Sequence, residues 1–234
     1  MGEAHLRHTL EPMAPESSLI YDLPAVTVRR IAVSEMSNNV YLLTAKKSGV
    51  QVLIDAADEA STIREMIAAA AEDTPCTPGV RAILTTHQHW DHTRALPELA
   101  GSTGAELAAG RDDAESIASE KALTIDRRLV HGETVQYDGI GLDVIHLRGH
   151  TPGSVAFAYP VEDGPAHIFT GDSLFPGGVG KTWNSEDFAS LIDDVEARLF
   201  AQFDDDTIIH PGHGAPTTLG AERPQLAQWR ERGW

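Results

Sequence analysis

Residues 85–92, TTHQHWDH, place three histidines and an aspartate within six positions, from His87 to His92. Neutral imidazole nitrogens and a carboxylate oxygen suit zinc, iron or manganese, and this stretch offers no thiolate. The preceding segment VRAILTT (80–86) is nearly all apolar, the pattern of a short strand buried in a layered α/β protein. If the strand ends at Thr86 and the chain passes through a loop into a helix, His87 and His89 point to one side. Asp91 and His92 then reach a second ion beside the first. The plain alternative is a solvated histidine-rich turn, but such a turn has no reason to sit at the end of a buried strand.

Three other segments repeat this setting, an apolar strand running into a glycine-bearing turn with His or Asp. VIHLRGHTPGS carries His150, AHIFTGDSLF carries Asp172 and DTIIHPGHG carries His213. Glycine allows tight turns through which a ligand leans over a sheet edge. Singly, each is an ordinary turn residue. Together with the first cluster they supply five histidines and two aspartates, a donor set for two ions. The other histidines read as solvated (His5, His8), turn (His131) or packing residues (His146, His167, His210).

The elements that must position these ligands follow from periodicity. Residues 25–33, 40–45 and 50–56 are rich in β-branched and aliphatic residues and predict consecutive strands. Residues 59–73 predict a helix, with Ile63, Met66, Ile67 and Ala70 at helical spacing. After the strand at 80–86 come a helix starting at the histidine cluster, a strand near 105–110 and a helix around 111–119. Residues 120–131 carry no clear pattern. Strands follow in 133–139, 140–149, 153–160 and 166–172, then an amphipathic helix over 185–200 with Ser185 as N-cap, a strand over 206–214 and a closing helix at 222–231. Two similar halves predict one α/β domain over residues 24–234, with two packed sheets and helices outside. Residues 1–23, polar and proline-bearing, read as a flexible leader.

The chain has 234 residues, with 35 acidic against 18 basic and a formal charge of −17. Such a surface repels phosphate backbones and anionic lipid, so neither nucleic acid nor membrane is expected as a partner. The single cysteine, Cys76, excludes an internal disulfide and reads as a bystander. No run of 18 apolar residues is present, and the start lacks the apolar core of a secretory signal. The expectation is a cytoplasmic protein, monomer or homodimer, acting on a small molecule.

With these motifs in the order THQHWDH, GHTPGS, TGDSLF and PGHG, residues 25 to 215 resemble the metallo-β-lactamase-fold hydrolases. The resemblance implies a four-layer αββα sandwich with a binuclear site at one sheet edge. It implies that His87, His89 and His150 hold one metal, that Asp91, His92 and His213 hold the other, and that Asp172 bridges them. Asp91 and Asp172 would be the catalytic carboxylates, and Asp55, in LIDA, would support the site from behind. Two divalent ions per chain are implied, zinc foremost, with iron and manganese compatible.

No cysteine serves the second metal, which resembles the thioesterase and lactonase branches. SLFPGGVGKTWN (173–184) is similar to a glyoxalase II segment in which a basic residue contacts the thiol cofactor's carboxylate and an aromatic lines its pocket. Those roles would fall on Lys181 and Trp183. MSNNVYLL (36–43) is similar to the family's NxYL strand. Only residues 214–234 follow His213, which matches the short, single-domain glyoxalase II rather than members with a long helical extension. The implied activity is hydrolysis of an α-hydroxyacyl thioester by a metal-bridging hydroxide, as in hydroxyacylglutathione hydrolases. Two alternatives stay open: a persulfide dioxygenase with one iron on His87, His150 and Asp172, and a lactone hydrolase. A nuclease is disfavoured by the acidic charge, and a non-catalytic binding protein by the complete ligand set.

Overall fold

Long apolar runs, rather than strict alternation, mark strands that must be covered on both faces. The computed structural model describes residues 18–233. A first sheet takes β1 (Leu19–Asp22), β2 (Val26–Val33), β3 (Asn38–Ala45), β4 (Val50–Ile54), β5 (Gly79–Thr85), β6 (Glu106–Gly110) and β7 (Arg127–Leu129) in sequence order. β1 to β4 are antiparallel neighbours and β4 to β7 are parallel. The next strands are β8 (Thr134–Tyr137), β9 (Ile140–His146), β10 (Val155–Tyr159), β11 (His167–Gly171), a small hairpin of β12 (Leu174–Phe175) and β13 (Gly178–Val179), then β14 (Ile208–Pro211) and β15 (Thr217–Thr218). The second sheet runs β15-β14-β11-β10-β9-β8, with β11 and β14 parallel.

The helices are α1 (Ala60–Ala69), α2 (Leu96–Thr103), α3 (Arg111–Lys121), α4 (Ser185–Val195), α5 (Leu219–Glu222) and α6 (Leu226–Arg232). Three apolar layers hold the assembly. Between the sheets, Val28, Leu43, Ile54 and Leu84 meet Val144, Phe157 and Phe169. Outside the first sheet, Leu42, Leu53 and Ile83 pack with Ile63, Met66, Leu96 and Ile117. Outside the second, Ile145, Ile168 and Ile209 pack with Leu191, Ile192, Leu199 and Trp229. β3 is buried at all eight positions because both its faces are covered. The result is the αββα sandwich. Among the described residues no helix is long and apolar enough to cross a membrane.

Several local expectations change. Residues 1–17 of the expected leader lie outside the described residues, but Leu19–Asp22 pairs with β2 as a strand. Ile20 and Tyr21 pack against the inter-sheet core there. The histidine cluster lies on a 3-10 turn (Trp90–His92), and the α-helix begins only at Leu96. The N-cap of α4 is Asn184, not Ser185: its backbone is extended and its side-chain oxygen accepts the Asp187 N–H at 2.8 Å, while Ser185 is already helical. The helix expected to reach residue 200 continues past Val195 as a wider π turn over Glu196–Phe200. β7 forms inside the patternless 120–131 segment, made a strand by pairing with β6.

His167 and His210 lie side by side in the inter-sheet layer. Their rings stack, with Nδ1 of His167 2.9 Å from Nε2 of His210, and Tyr21 meets His167 edge-on at 4.5 Å. Burial pushes His167 down to about 4 and His210 down to about 3, the second also lowered by its partner. The unfolded chain protonates both near the ordinary value of about 6.5, so unfolding takes up protons below that pH. Stability therefore falls as pH drops from about 6.5 toward 4, by up to about 1.4 kcal/mol per pH unit for each histidine, and is independent of this pair above that window. A His167→Gln/His210→Gln variant keeps a mutual hydrogen bond but cannot titrate. Urea midpoints measured at pH 7 and pH 5 should fall less for this variant than for the wild type; equal falls would contradict the reading.

Candidate active site

Strand ends assemble the site. Asp55 follows β4, His87 follows β5, Asp172 follows β11 and His213 follows β14, all at the carboxyl ends of parallel strands where α/β sheets leave a crevice. Asp55 sits in the left-handed region (φ 59°), a conformation that costs an aspartate roughly 1 kcal/mol or more. Its carboxylate offsets that cost. It accepts the Thr86 N–H and the Thr86 hydroxyl, both at 2.8 Å, and holds Nδ1 of His92 at 2.9 Å.

The same logic turns the other rings. The Thr86 hydroxyl lies 3.0 Å from Nδ1 of His87, the Lys181 carbonyl accepts from Nδ1 of His150 at 2.8 Å, and the Met36 carbonyl accepts from Nδ1 of His213 at 2.9 Å. With Nδ1 engaged outward, each ring directs its Nε2 lone pair inward. Asn38 donates to Oδ2 of Asp91 at 2.9 Å. No side chain fits at Gly212, where a Cβ would stand 2.2 Å from Oδ1 of Asp172 and 2.7 Å from the His92 ring. Gly171 takes φ +50° and lies against Thr86, where a Cβ would come within 2.5 Å of the hydroxyl.

The seven predicted ligands converge. Nε2 of His87 is 3.1 Å from Nδ1 of His89, and Nε2 of His92 is 3.2 Å from Nε2 of His213. Oδ2 of Asp91 lies 3.4 Å from His213, while Asp172 stands 3.4 Å from His92 and 3.6 Å from both His150 and His213. Ligand atoms fall within 4.8 Å of one another in three overlapping sets: His87, His89 and His150; His87, His92 and Asp172; Asp91, His92 and His213. Asp172 lies between the two outer sets, beside both His150 and His213.

The electrostatics ask for positive charge at the centre. Burial and the neighbouring histidines hold His87 well below its ordinary value. Burial also opposes charge on His92, but the carboxylates of Asp172, 3.4 Å away, and Asp55 outweigh it and raise this ring to about 10. Nε2 of His150 and Oδ1 of Asp172 are buried with no hydrogen-bond partner. Lone pairs facing one another at about 3 Å, with orphaned acceptors beside them, are what a cation between them resolves. The residues present fit divalent ions.

Three contributors were hidden in the sequence. Asp113, on α3 and fully buried, accepts from the Gln88 N–H (2.9 Å), the Thr151 hydroxyl (2.6 Å) and the Gly153 N–H (2.7 Å). It ties the loop of His87 and His89 to the loop of His150. In sequence it looks like one more acidic residue in a helix's first turn. Asn38 holds Asp91 from 53 positions away, and it stands one place ahead of the asparagine of NxYL with no local mark of that role. Arg148 pairs through two bonds of 2.8 Å with Asp194 on α4, and lines a cavity of about 540 Å³ beside His89 and His150. Trp183, 67% exposed, lines the same cavity. Lys181 does not line it; its ammonium lies 4.4 Å over the Trp183 indole.

Comparison with known proteins identifies the family. Residues 33–213 match the model of the metallo-beta-lactamase superfamily, and the chain belongs to that superfamily. It is 33% identical over 159 residues to the hydroxyacylglutathione hydrolase GloC of Haemophilus influenzae, covering 62% of this chain and 73% of that one. It is 34% identical over 179 residues to the hydroxyacylglutathione hydrolase of Fuscovulum blasticum, covering 75% of this chain but 62% of that longer one. Among solved structures, the protein TTHA1623 in a di-iron-bound form is 31% identical with a TM-score of 0.63, covering 83% of this chain and 96% of that one. ETHE1 from Myxococcus xanthus is 25% identical with a TM-score of 0.71, covering 86% and 84%.

The supporting hydrogen bonds make a direct prediction. Asp55→Ala releases His92 and Thr86, and Asp113→Ala unties the two ligand loops. Each should weaken metal binding about 10- to 100-fold in competition with a chelator, while the far-UV spectrum stays native. Wild-type affinity in both variants would show that the loops hold their ligands without them.

Proposed function

We propose that this metallo-beta-lactamase superfamily member is a binuclear thioesterase of the glyoxalase II type, cleaving an α-hydroxyacyl thioester. The observation that carries the reading is the meeting of five imidazoles and two carboxylates, lone pairs inward, beside a cavity lined by Trp183. One ion would rest on His87, His89 and His150, the other on Asp91, His92 and His213, with Asp172 between them. Zinc is the first choice for this donor set, and iron and manganese also suit it. When bound, such ions supply the Lewis acidity that makes water nucleophilic at neutral pH and steadies negative charge on a carbonyl oxygen.

The chain's own residues do the rest. The outward hydrogen bonds keep the imidazoles from turning during the reaction, so little reorganisation remains to be overcome. Water attacks the thioester carbonyl carbon and gives up its proton to solvent, while Asp91, held through Oδ2 by Asn38, keeps its place in the ligand set. The carbon–sulfur bond then breaks, and the departing thiolate takes up a proton. Trp183 provides a flat apolar wall for the thiol arm, with the Lys181 ammonium resting on its indole outside the cavity lining. The partner in this reading is a small soluble thioester, not nucleic acid or a membrane, and the setting is cytoplasmic.

The test is to purify the protein without chelator, count metal per chain, and follow thiol release from lactoyl-glutathione. About two ions and rapid thiol release, falling by about 100-fold or more in Asp172→Ala, is the expected result. One iron per chain, with oxygen uptake on a persulfide and no thiol release, would overturn it in favour of the dioxygenase.

A further inference from the structure

Large apolar side chains exposed to water are few among the described residues: Leu19, Met36, Trp90 and Trp183. Three of these four stand around the ligand cluster, although nothing in the core requires them there. Exposed apolar side chains gathered at a site mark ligand contact. Trp183 belongs to the cavity beside His89 and His150. Met36 and Trp90 belong to a separate groove of about 480 Å³, lined also by Ser34, Glu35, Asp58, Glu59 and Arg94.

None of the candidate ligands lines this groove, but two of its residues adjoin the set of Asp91, His92 and His213. Trp90 lies in the chain between His89 and Asp91, and the Met36 carbonyl holds His213. Its walls are fixed rather than loose. Glu59 accepts the Ser34 N–H at 2.8 Å, the Ser34 hydroxyl donates to Asn38 at 2.7 Å, and Asn38 donates to Asp91 at 2.9 Å. Arg94 is spent on Asp58 and lies 4.4 Å over the Trp90 ring. Six non-glycine residues among those described have positive φ, and four of them border this groove or the site: Ser34, Ser37, Asp55 and Glu59. Strain of that kind persists where the surrounding structure holds a shape for use.

Charge decides what the groove admits. Glu35, Asp58 and Glu59 face one cation, Arg94, so an anionic arm is repelled and an uncharged apolar one is not. The open volume also exceeds the roughly 150 Å³ that encloses a benzene molecule, more than a lactoyl group fills. The geometry points to an acyl subsite: the Met36–Trp90 groove takes the acyl arm of the substrate, and that arm carries an uncharged apolar chain or ring beyond its α-carbon. The thiol carrier then extends the other way, past His89 and His150 toward Trp183 and Arg148. This deepens the thioesterase reading and rests on it.

The test is a series of glutathione thioesters, acetyl, lactoyl, hexanoyl, 3-phenyllactoyl and succinyl, with the metal-loaded protein. kcat/KM should rise about tenfold or more from lactoyl to 3-phenyllactoyl, and succinyl should be poor. In Met36→Ala and Trp90→Ala the ratio of 3-phenyllactoyl to acetyl turnover should collapse toward one. A flat series, or a ratio that survives both substitutions, would overturn the subsite. If no thioester is cleaved at all, the thioesterase reading fails on its own, and the groove is tested by binding. Neutral 3-phenyllactamide should then shift the Met36 methyl resonance of the metal-loaded protein, and an unmoved resonance would overturn the groove as a subsite.

Discussion

Bringing five imidazoles and two carboxylates face to face in a buried pocket is unfavourable unless each is held from behind and something positive sits between them. The hydrogen bonds on the far side of the rings meet the first condition. Asp55 accepts from Thr86 twice and fixes His92 while sitting in a left-handed conformation that carries a modest cost. Without it, the strand end of β4, the ligand loop after β5 and the most buried imidazole would each lose their anchor. The second condition explains why Asp172 and His150 keep orphaned atoms aimed inward.

The sandwich exists to bring those anchors together. Parallel pairing of β4 with β5 puts Asp55 beside Thr86, and parallel pairing of β11 with β14 puts Asp172 beside the His213 loop. The two sheets carry different parts of the cluster, and His87 and His89 meet His150, and Asp91 and His92 meet His213, only across the seam between them, so the packing of the sheets decides whether the cluster closes. Phe157, Phe169, Leu43 and Leu84 at that interface therefore act on the chemistry through geometry alone. The small residues serve the same end: Gly212 leaves room for Asp172 and His92 where any side chain would strike them.

Much of this was readable from sequence because ligands in this fold sit at the ends of strands, and strand ends are marked by local pattern. HxHxDH, GH, GD and PGHG each marked side chains that the fold gathers into one cluster, and the runs around Leu42, Ile83 and Phe157 announced buried strands. What stayed hidden depends on partners far apart in the chain. Asp113 reaches Gly153 across 40 positions and Arg148 reaches Asp194 across 46, and neither pair has a local signature. Asn184 outcompeted Ser185 as N-cap because backbone geometry, not residue preference, chose the first helical residue. β1 formed because Tyr21 found a ring to pack on, His167, that the local sequence LIYD does not reveal.

The most direct measurement is a crystal structure with anomalous diffraction collected at the absorption edge of the bound metal. The account predicts two peaks of comparable height, one within reach of His87, His89 and His150, the other within reach of Asp91, His92 and His213, with Asp172 between. A single peak, with the second set of ligands hydrogen-bonded to one another or to water, would contradict a binuclear centre.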